Sequence, residues 1–460
     1  MTPRPPAFGL STEVRSQLLD RLVSRRGKSP EAAAVPAGRM PARPPLGDPQ
    51  LREELRRLRE AGQVLGIENP FFRPHDGIAG AETSIGGRTL LNMVSYNYLG
   101  LNGDARVLAA AEAAMRRYGT SVSASRLVSG ERPLHQELEA ALAGLHGTED
   151  CVVLVSGHAT NVTAIGHLVG AGDAVVHDAL AHNSVVQGAM LSGAQRLPFA
   201  HNDMAALERV LQSLRPRTKR ALVVVEGHYS MDGDVCDLPA LIGIVRRHGA
   251  WLMVDEAHSV GVLGATGRGV AEHFGIDPGG VDIWMGTLSK TLCSCGGYIA
   301  ASRDVVEYLR CSAPGFVYSV GMPPPAAAAA LASLRLMQAE PWRVAKLAAN
   351  ARLFVEEARA AGLDVGGSIG AAIVPVILGS SIKAARVADL LFRRGVNVQP
   401  ILCPAVPERS ARLRVFLSSL HEPAQLRAAV AMIAAAVAEV ERMDVDVAGL
   451  AMRLAGAGDA

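Results

Sequence analysis

The chain has 460 residues, of which 49% are hydrophobic and 20% charged; that allows a sizeable core and excludes global disorder. Lys and Arg number 46 against 44 Asp and Glu, a formal net charge of +2, and aromatic residues make up only 4%. The lack of basic excess and the scarcity of stacking rings argue against a nucleic-acid binder, and six cysteines make no disulfide framework, so a reducing cytoplasm is the expected setting.

Residues 1–47 are rich in Pro, Arg and Ala, a composition that resists packing and predicts a mobile tail. Charged residues recur through the first 30 positions with no apolar stretch between them, which excludes an ordinary secretory signal. Asp48-Pro49 then predicts a helix to about Leu65, with Asp48 as N-cap and Pro49 in the first turn. Residues 48–90 are read as this helix and an arm.

Short apolar runs at 151–155, 174–177, 221–226, 251–255, 281–285 and 297–301 predict strands, with helical patterns such as 204–214 and 238–248 between them. The alternation predicts an α/β fold, a mostly parallel sheet with helices on both faces, in a large domain at 91–335. Residues 151–172 carry no Asp, Glu, Lys or Arg, yet they hold Ser156, Gly157, His158, Asn161 and His167. They are read as a buried strand and helix, and no transmembrane segment is expected. Beyond Pro323-Pro324-Pro325 one long helix is predicted over 326–361. A smaller C-terminal α+β domain is placed at 336–460, with strands near 371–378 and 413–418 and helices near 383–394 and 423–440.

Ligands of open α/β sheets sit beyond the carboxyl ends of the strands. Past the first run, Ser156-Gly157-His158 opens a helix whose free N–H groups attract an anion. Past the second comes His182, able to stack on a planar ring or move a proton. Glu226 ends the third, followed by a polar loop containing Ser230. Asp255 ends the fourth as a partly buried carboxylate that needs a cationic partner, with a local Arg such as Arg268 as the plain alternative, and His258 lies three residues on. Past the fifth, Thr287-Leu288-Ser289-Lys290 offers two hydroxyls and an amine with no acidic neighbour, a candidate to form a Schiff base with a carbonyl. An Asp ending one strand and a Lys beyond the next, with an anion-binding turn and a ring-sized His, suit pyridoxal phosphate.

Val254-Asp255-Glu256-Ala257-His258-Ser259-Val260-Gly261, followed by Gly286-Thr287-Leu288-Ser289-Lys290, resembles the α-oxoamine synthase family. Ser95-Tyr96-Asn97-Tyr98-Leu99-Gly100, Ser125-Arg126-Leu127-Val128-Ser129-Gly130, residues 226–234, residues 318–324 and Ala411-Arg412-Leu413-Arg414 match it in order, over roughly 68–440. The resemblance implies a fold-type I pyridoxal-phosphate transferase with a seven-stranded sheet. It also implies an acyltransferase that condenses serine, glycine or alanine with an acyl thioester, on CoA or an acyl carrier protein, losing CO2 and thiol to give an α-amino ketone.

By the same resemblance, Lys290 is the Schiff-base lysine and Asp255 the partner of the ring nitrogen. His258, with Ser230 beside it, bonds the ring's phenolic oxygen, and His182 stacks on the ring face. Gly157, His158, Thr287 and Ser289 fall at phosphate-end positions. Ser319, within 318–321, reaches the phosphate of another subunit, which implies a homodimer. Arg414 holds the substrate carboxylate, and Tyr96 lies on the substrate side. His158 stands where the family usually has Phe or Tyr, Tyr96 where several members have Asn, and Leu402 where the oxononanoate synthases and bacterial palmitoyltransferases have Arg. The motifs at 95–100 and 266–269 look most like serine palmitoyltransferase. Cys293 and Cys295 are read as small buried packing residues. An aminotransferase or lyase on the same fold, or a non-catalytic partner subunit, are the alternatives; Lys290 speaks against the last.

Overall fold

The structure, a computed structural model, describes residues 46–214 and 218–443, so the predicted tail lies outside the described residues except for its last two positions. The chain divides into two units, 1–60 and 61–460. The first predicted helix forms as Pro49–Val64, and the Asp48 carboxylate accepts the Gln50 N–H at 2.9 Å.

Thirteen strands are described: β1 (Glu82–Ile85), β2 (Arg88–Asn92), β3 (Asp150–Leu154), β4 (Ala174–Asp178), β5 (Gln195–Phe199), β6 (Ala221–Glu226), β7 (Trp251–Asp255), β8 (Ile283–Thr287), β9 (Gly297–Ala301), β10 (Ile373–Ile377), β11 (Val396–Asn397), β12 (Gln399–Ile401) and β13 (Arg412–Phe416). Seven of them form one sheet in the order β3-β9-β8-β7-β6-β4-β5. Only β9 runs against the rest, antiparallel to β3 and to β8. Side chains alternate between two buried faces: Leu222 and Val224 enter one cluster with Met253, Val223 and Val225 the other with Leu252 and Val254. Burial on both faces is why these strands read as unbroken apolar runs. Each fully buried Val or Leu stabilises by ~1.5–3 kcal/mol.

Strand β5 was not anticipated. Its sequence, Gln-Arg-Leu-Pro-Phe, is half exposed and contains Pro198, which lacks the N–H a central strand needs. It occupies the edge, where that lack is tolerated. The single helix expected over 326–361 is two, Pro324–Ala339 and Trp342–Ala360. Pro341 has no N–H for the helical ladder and interrupts it.

The C-terminal part contributes a second sheet, β10-β13-β12, all antiparallel, with the helices Ser381–Arg393 and Pro423–Arg442. The expected 335/336 boundary falls inside Pro324–Ala339. Strand β11 joins the arm hairpin by pairing in parallel with β2. Among the described residues, one helix, Pro423–Arg442, is long and apolar enough to cross a membrane. Its Leu426, Val430, Ile433 and Val440 are buried in the core, and ion pairs tie it to Glu357, Arg394 and Lys383.

Candidate active site

Parallel strands β8, β7, β6 and β4 end along one edge of the sheet, so the residues beyond them converge. Asp255 closes β7 and is 4% exposed. Its Oδ2 accepts from Asn161 Nδ2 at 2.8 Å and its Oδ1 from the Ala257 N–H at 2.9 Å. Arg268 is not its partner; that side chain bonds the Gly144 and Leu145 carbonyls. Asn161 was missed as a functional residue because it lies 94 positions away on the helix Gly157–Leu168. The available signal was a polar amide inside an apolar helical run, since buried polar groups are there to be bonded.

Lys290 lies just past β8, with its Nζ 5.6 Å from the Tyr96 ring centre. Burial lowers its pKa to about 8; Asp255 and Glu226 oppose the shift, while Arg414 adds to it. Burial, then the Asp255 charge, raises Glu226 to about 8. Glu226 Oε1 accepts the His182 N–H at 2.6 Å.

His182 caps the helix Asn183–Ser192, its Nδ1 2.7 Å from Ser184 Oγ, and meets His158 edge-on at 6.2 Å. Burial lowers its pKa against the pull of Asp255, so the ring is neutral at pH 7. Burial, then Lys290, pushes His258 well below its usual value. His258 Nδ1 lies 2.8 Å from the hydroxyl of buried Tyr98, a second partner that sequence reading did not single out. Tyr96 stands edge-on to His258 at 5.9 Å.

At the other end of the cluster, Gly157 lies against Thr287: a Cβ on Gly157 would come within 2.6 Å of Thr287 Oγ1. That hydroxyl is 2.8 Å from Ser289 Oγ and donates to the Gly296 carbonyl at 3.1 Å. The close approach places the amino end of Gly157–Leu168 next to two hydroxyls, with exposed His158 at its start. On the opposite side Arg414, in the middle of β13, donates to the Ser230 carbonyl at 3.4 Å and contacts Met231 Sδ at 3.3 Å. Its buried Nε has no partner, and among the described residues no carboxylate pairs with it. Arg412, two positions earlier, pairs with Asp232 at 2.6 Å.

Ser319 is not brought into this cluster within one chain. Its hydroxyl donates to the Val320 carbonyl at 3.2 Å, beside Tyr318, which is 86% exposed. The cysteine reading needs correction. Cys295 is exposed and Cys293 half-buried, because both sit in the turn between Lys290 and β9 rather than in the core. A cleft of about 430 Å³ opens at Lys290 and is lined also by Ser289, Tyr96, Asn97 and His75.

These residues fit pyridoxal phosphate. Asp255, braced by two N–H donors, would suit the ring nitrogen; Lys290 would suit the aldehyde; and a helix amino end whose first residue, Gly157, lacks the Cβ that would crowd Thr287 would suit the phosphate. Arg414, whose Nε is without a partner and which has no carboxylate beside it among the described residues, suits a substrate carboxylate.

Comparisons with known proteins agree with that fit. The family model described as aminotransferase class I and II matches residues 88–433. The 8-amino-7-oxononanoate synthase of Geobacter sulfurreducens is 43% identical over 383 residues, 83% of this chain and 96% of that one. The enzyme of the same name from Pseudomonas putida strain GB-1 is 41% identical over 365 residues, 79% and 93% of the two chains. Among solved structures, a serine palmitoyltransferase from Sphingomonas wittichii superposes with a TM-score of 0.81 at 31% identity, over 86% of this chain and 99% of that one. A structure described as SPT with PLP internal aldimine gives 0.82 at 31% identity, over 86% and 100%.

Proposed function

Because the chain belongs to the aminotransferase class I and II family, in its α-oxoamine synthase branch, we propose that it joins a small amino acid (serine, glycine or alanine) to an acyl thioester, releasing CO2 and thiol and leaving an α-amino ketone. The cofactor is pyridoxal phosphate; when bound, it supplies a protonated ring that draws electron density from the substrate α-carbon. The observation that carries the reading is the convergence of Lys290, just past β8, and Asp255, at the end of adjacent parallel β7, close enough for the Asp255 charge to act on the Lys290 amine, with Arg414 on β13, which has no carboxylate partner among the described residues.

Each residue has one task in this reading. Asp255, its two oxygens fixed by Asn161 and the Ala257 N–H, would accept from the protonated ring nitrogen. Lys290 would hold the cofactor, and its free amine would take the substrate α-proton onto Nζ; a pKa of about 8 leaves a useful fraction of free amine at neutral pH. Arg414 holds the substrate carboxylate by charge-assisted bonds. His182, neutral and fixed by Ser184, covers one ring face and is the candidate donor to the thioester carbonyl. His258, held by Tyr98, and Ser230 serve the phenolic oxygen. Gly157, His158, Thr287 and Ser289 serve the phosphate.

Leu402 packs against the C-terminal core, so no acyl-carboxylate contact is assigned to that position. A homodimer is part of the reading, supported by exposed apolar residues at Leu127, Val128, Tyr318 and Val320 on two segments joined by the Gly321 N–H to the Ala124 carbonyl. The test offers each amino acid with acyl-CoA and acyl carrier protein donors. Equal release of CO2 and free thiol supports condensation; a keto acid without thiol supports transamination instead.

A further inference from the structure

Beneath the loops of this site, His201 lies between two carboxylates. Its Nδ1 is 2.9 Å from Asp178 Oδ1 and its Nε2 is 2.8 Å from Asp234 Oδ2. Asp178 is the last residue of β4 and fully buried, and its oxygens also accept the Leu180 and Asn202 N–H groups at 2.8 and 3.0 Å. Asp234 lies in the loop after β6, where its carbonyl accepts from the Tyr229 N–H at 3.0 Å. Asn202 repeats the bridge: its amide donates to Asp234 Oδ2 at 2.9 Å and to the Val235 carbonyl at 3.0 Å.

We infer that His201 is a positioning residue whose two ring nitrogens tie the turn leading to His182 to the loop carrying Ser230, fixing the spacing of the groups on the two sides of the cofactor. Ionised carboxylates only accept, so both ring nitrogens must donate and the ring is an imidazolium. Burial alone would lower its pKa; the bonds to Asp178 and then Asp234 outweigh it and raise the value to about 10. The other titratable group facing the ring is Tyr229, edge-on at 4.6 Å. Asp178 bonds Leu180, two residues before His182, while the 228–235 turn presents the Ser230 carbonyl and Met231 sulfur to Arg414. One cation between two anions thus joins loops from β4 and β6 that would otherwise repel.

The inference rests on the cofactor reading above, so its test has arms with and without cofactor. In the full-length chain, His201→Phe removes both bonds while Asn202 keeps the loops joined, and His201→Gln can bond one carboxylate. Pyridoxal phosphate dissociation constants and visible circular dichroism are measured for each, beside thermal melting. His201→Phe is expected to bind the cofactor about tenfold more weakly or worse, the usual cost of losing a group that orients a ligand's contacts. Its visible dichroism should change, with His201→Gln intermediate. A purely structural role would lower the melting temperature and leave affinity and dichroism alone, and that result overturns the inference. If His201→Phe does not fold, Asp234→Ala, which removes the acceptor of the His201 Nε2–H, carries the same test, and unchanged affinity and dichroism there overturn it equally. In the cofactor-free wild-type protein, nitrogen NMR should find both His201 nitrogens protonated at pH 8; a ring that loses its proton near pH 6.5 contradicts the clamp whatever the cofactor does.

Discussion

Glu226 and Asp255 stand directly opposite in register at the ends of parallel strands β6 and β7, both buried, so the sheet sets two carboxylates side by side. Like charges held this way do not both ionise at neutral pH. Asp255 has two N–H donors and Lys290 nearby, whereas burial and Asp255 raise Glu226 to about 8, so Glu226 holds the proton at pH 7. The isosteric changes should therefore differ sharply. Glu226→Gln, which copies the neutral form, should keep turnover within a few-fold. Asp255→Asn should lower it about a thousandfold, within the range of acid–base contributions. Steady-state kinetics of the two variants at pH 7 decide this.

Asn161 anchors Asp255 Oδ2 at 2.8 Å from a different element. Asn161→Ala leaves that oxygen without its donor and should lower turnover about tenfold, the low end for loss of an orienting partner. The companion measurement is the cofactor's absorption spectrum, which should shift as protonation of the ring changes.

The free amine of Lys290 forms as pH rises through about 8, so turnover should rise with pH and level off above that value. Arg414 helps to depress this pKa, and its removal should move the limb to higher pH. A pH–rate profile of wild type against Arg414→Gln checks the direction. In the same variant, KM for the amino acid should rise roughly ten- to a hundredfold, the worth of a charged hydrogen bond, with a smaller change in kcat.

His201 links stability to pH in a defined direction. Its folded pKa, about 10, lies above the ordinary value of 6.5, so its contribution is complete below pH 6.5 and is lost as pH rises through 10. The gap in urea midpoint between wild type and His201→Gln should shrink over that window.

The parts of this site that were legible in the sequence are those whose signal is local. Lys290 and Asp255 each follow an apolar run and precede a turn, so strand ends and chemistry appear together. Asn161, Tyr98 and His201 were not singled out because each acts through a partner brought close only by the sheet: 94 residues away for Asn161, 160 for Tyr98, and 23 and 33 for His201. The same reasoning covers the fold. Strands buried on both faces announced themselves, whereas the edge strand β5 and the short β11 and β12, with few apolar residues of their own, depend on neighbours for their pairing.

Reduction of the holoenzyme with borohydride, followed by peptide mapping, tests most directly whether position 290 is the covalent anchor. The chain has only five lysines, and two of those, Lys346 and Lys383, are engaged in ion pairs with Glu422 and Glu441. The reduced cofactor should be found on the peptide containing Lys290 and be absent from Lys290→Ala. Recovery on another lysine, or on none, would contradict the assignment.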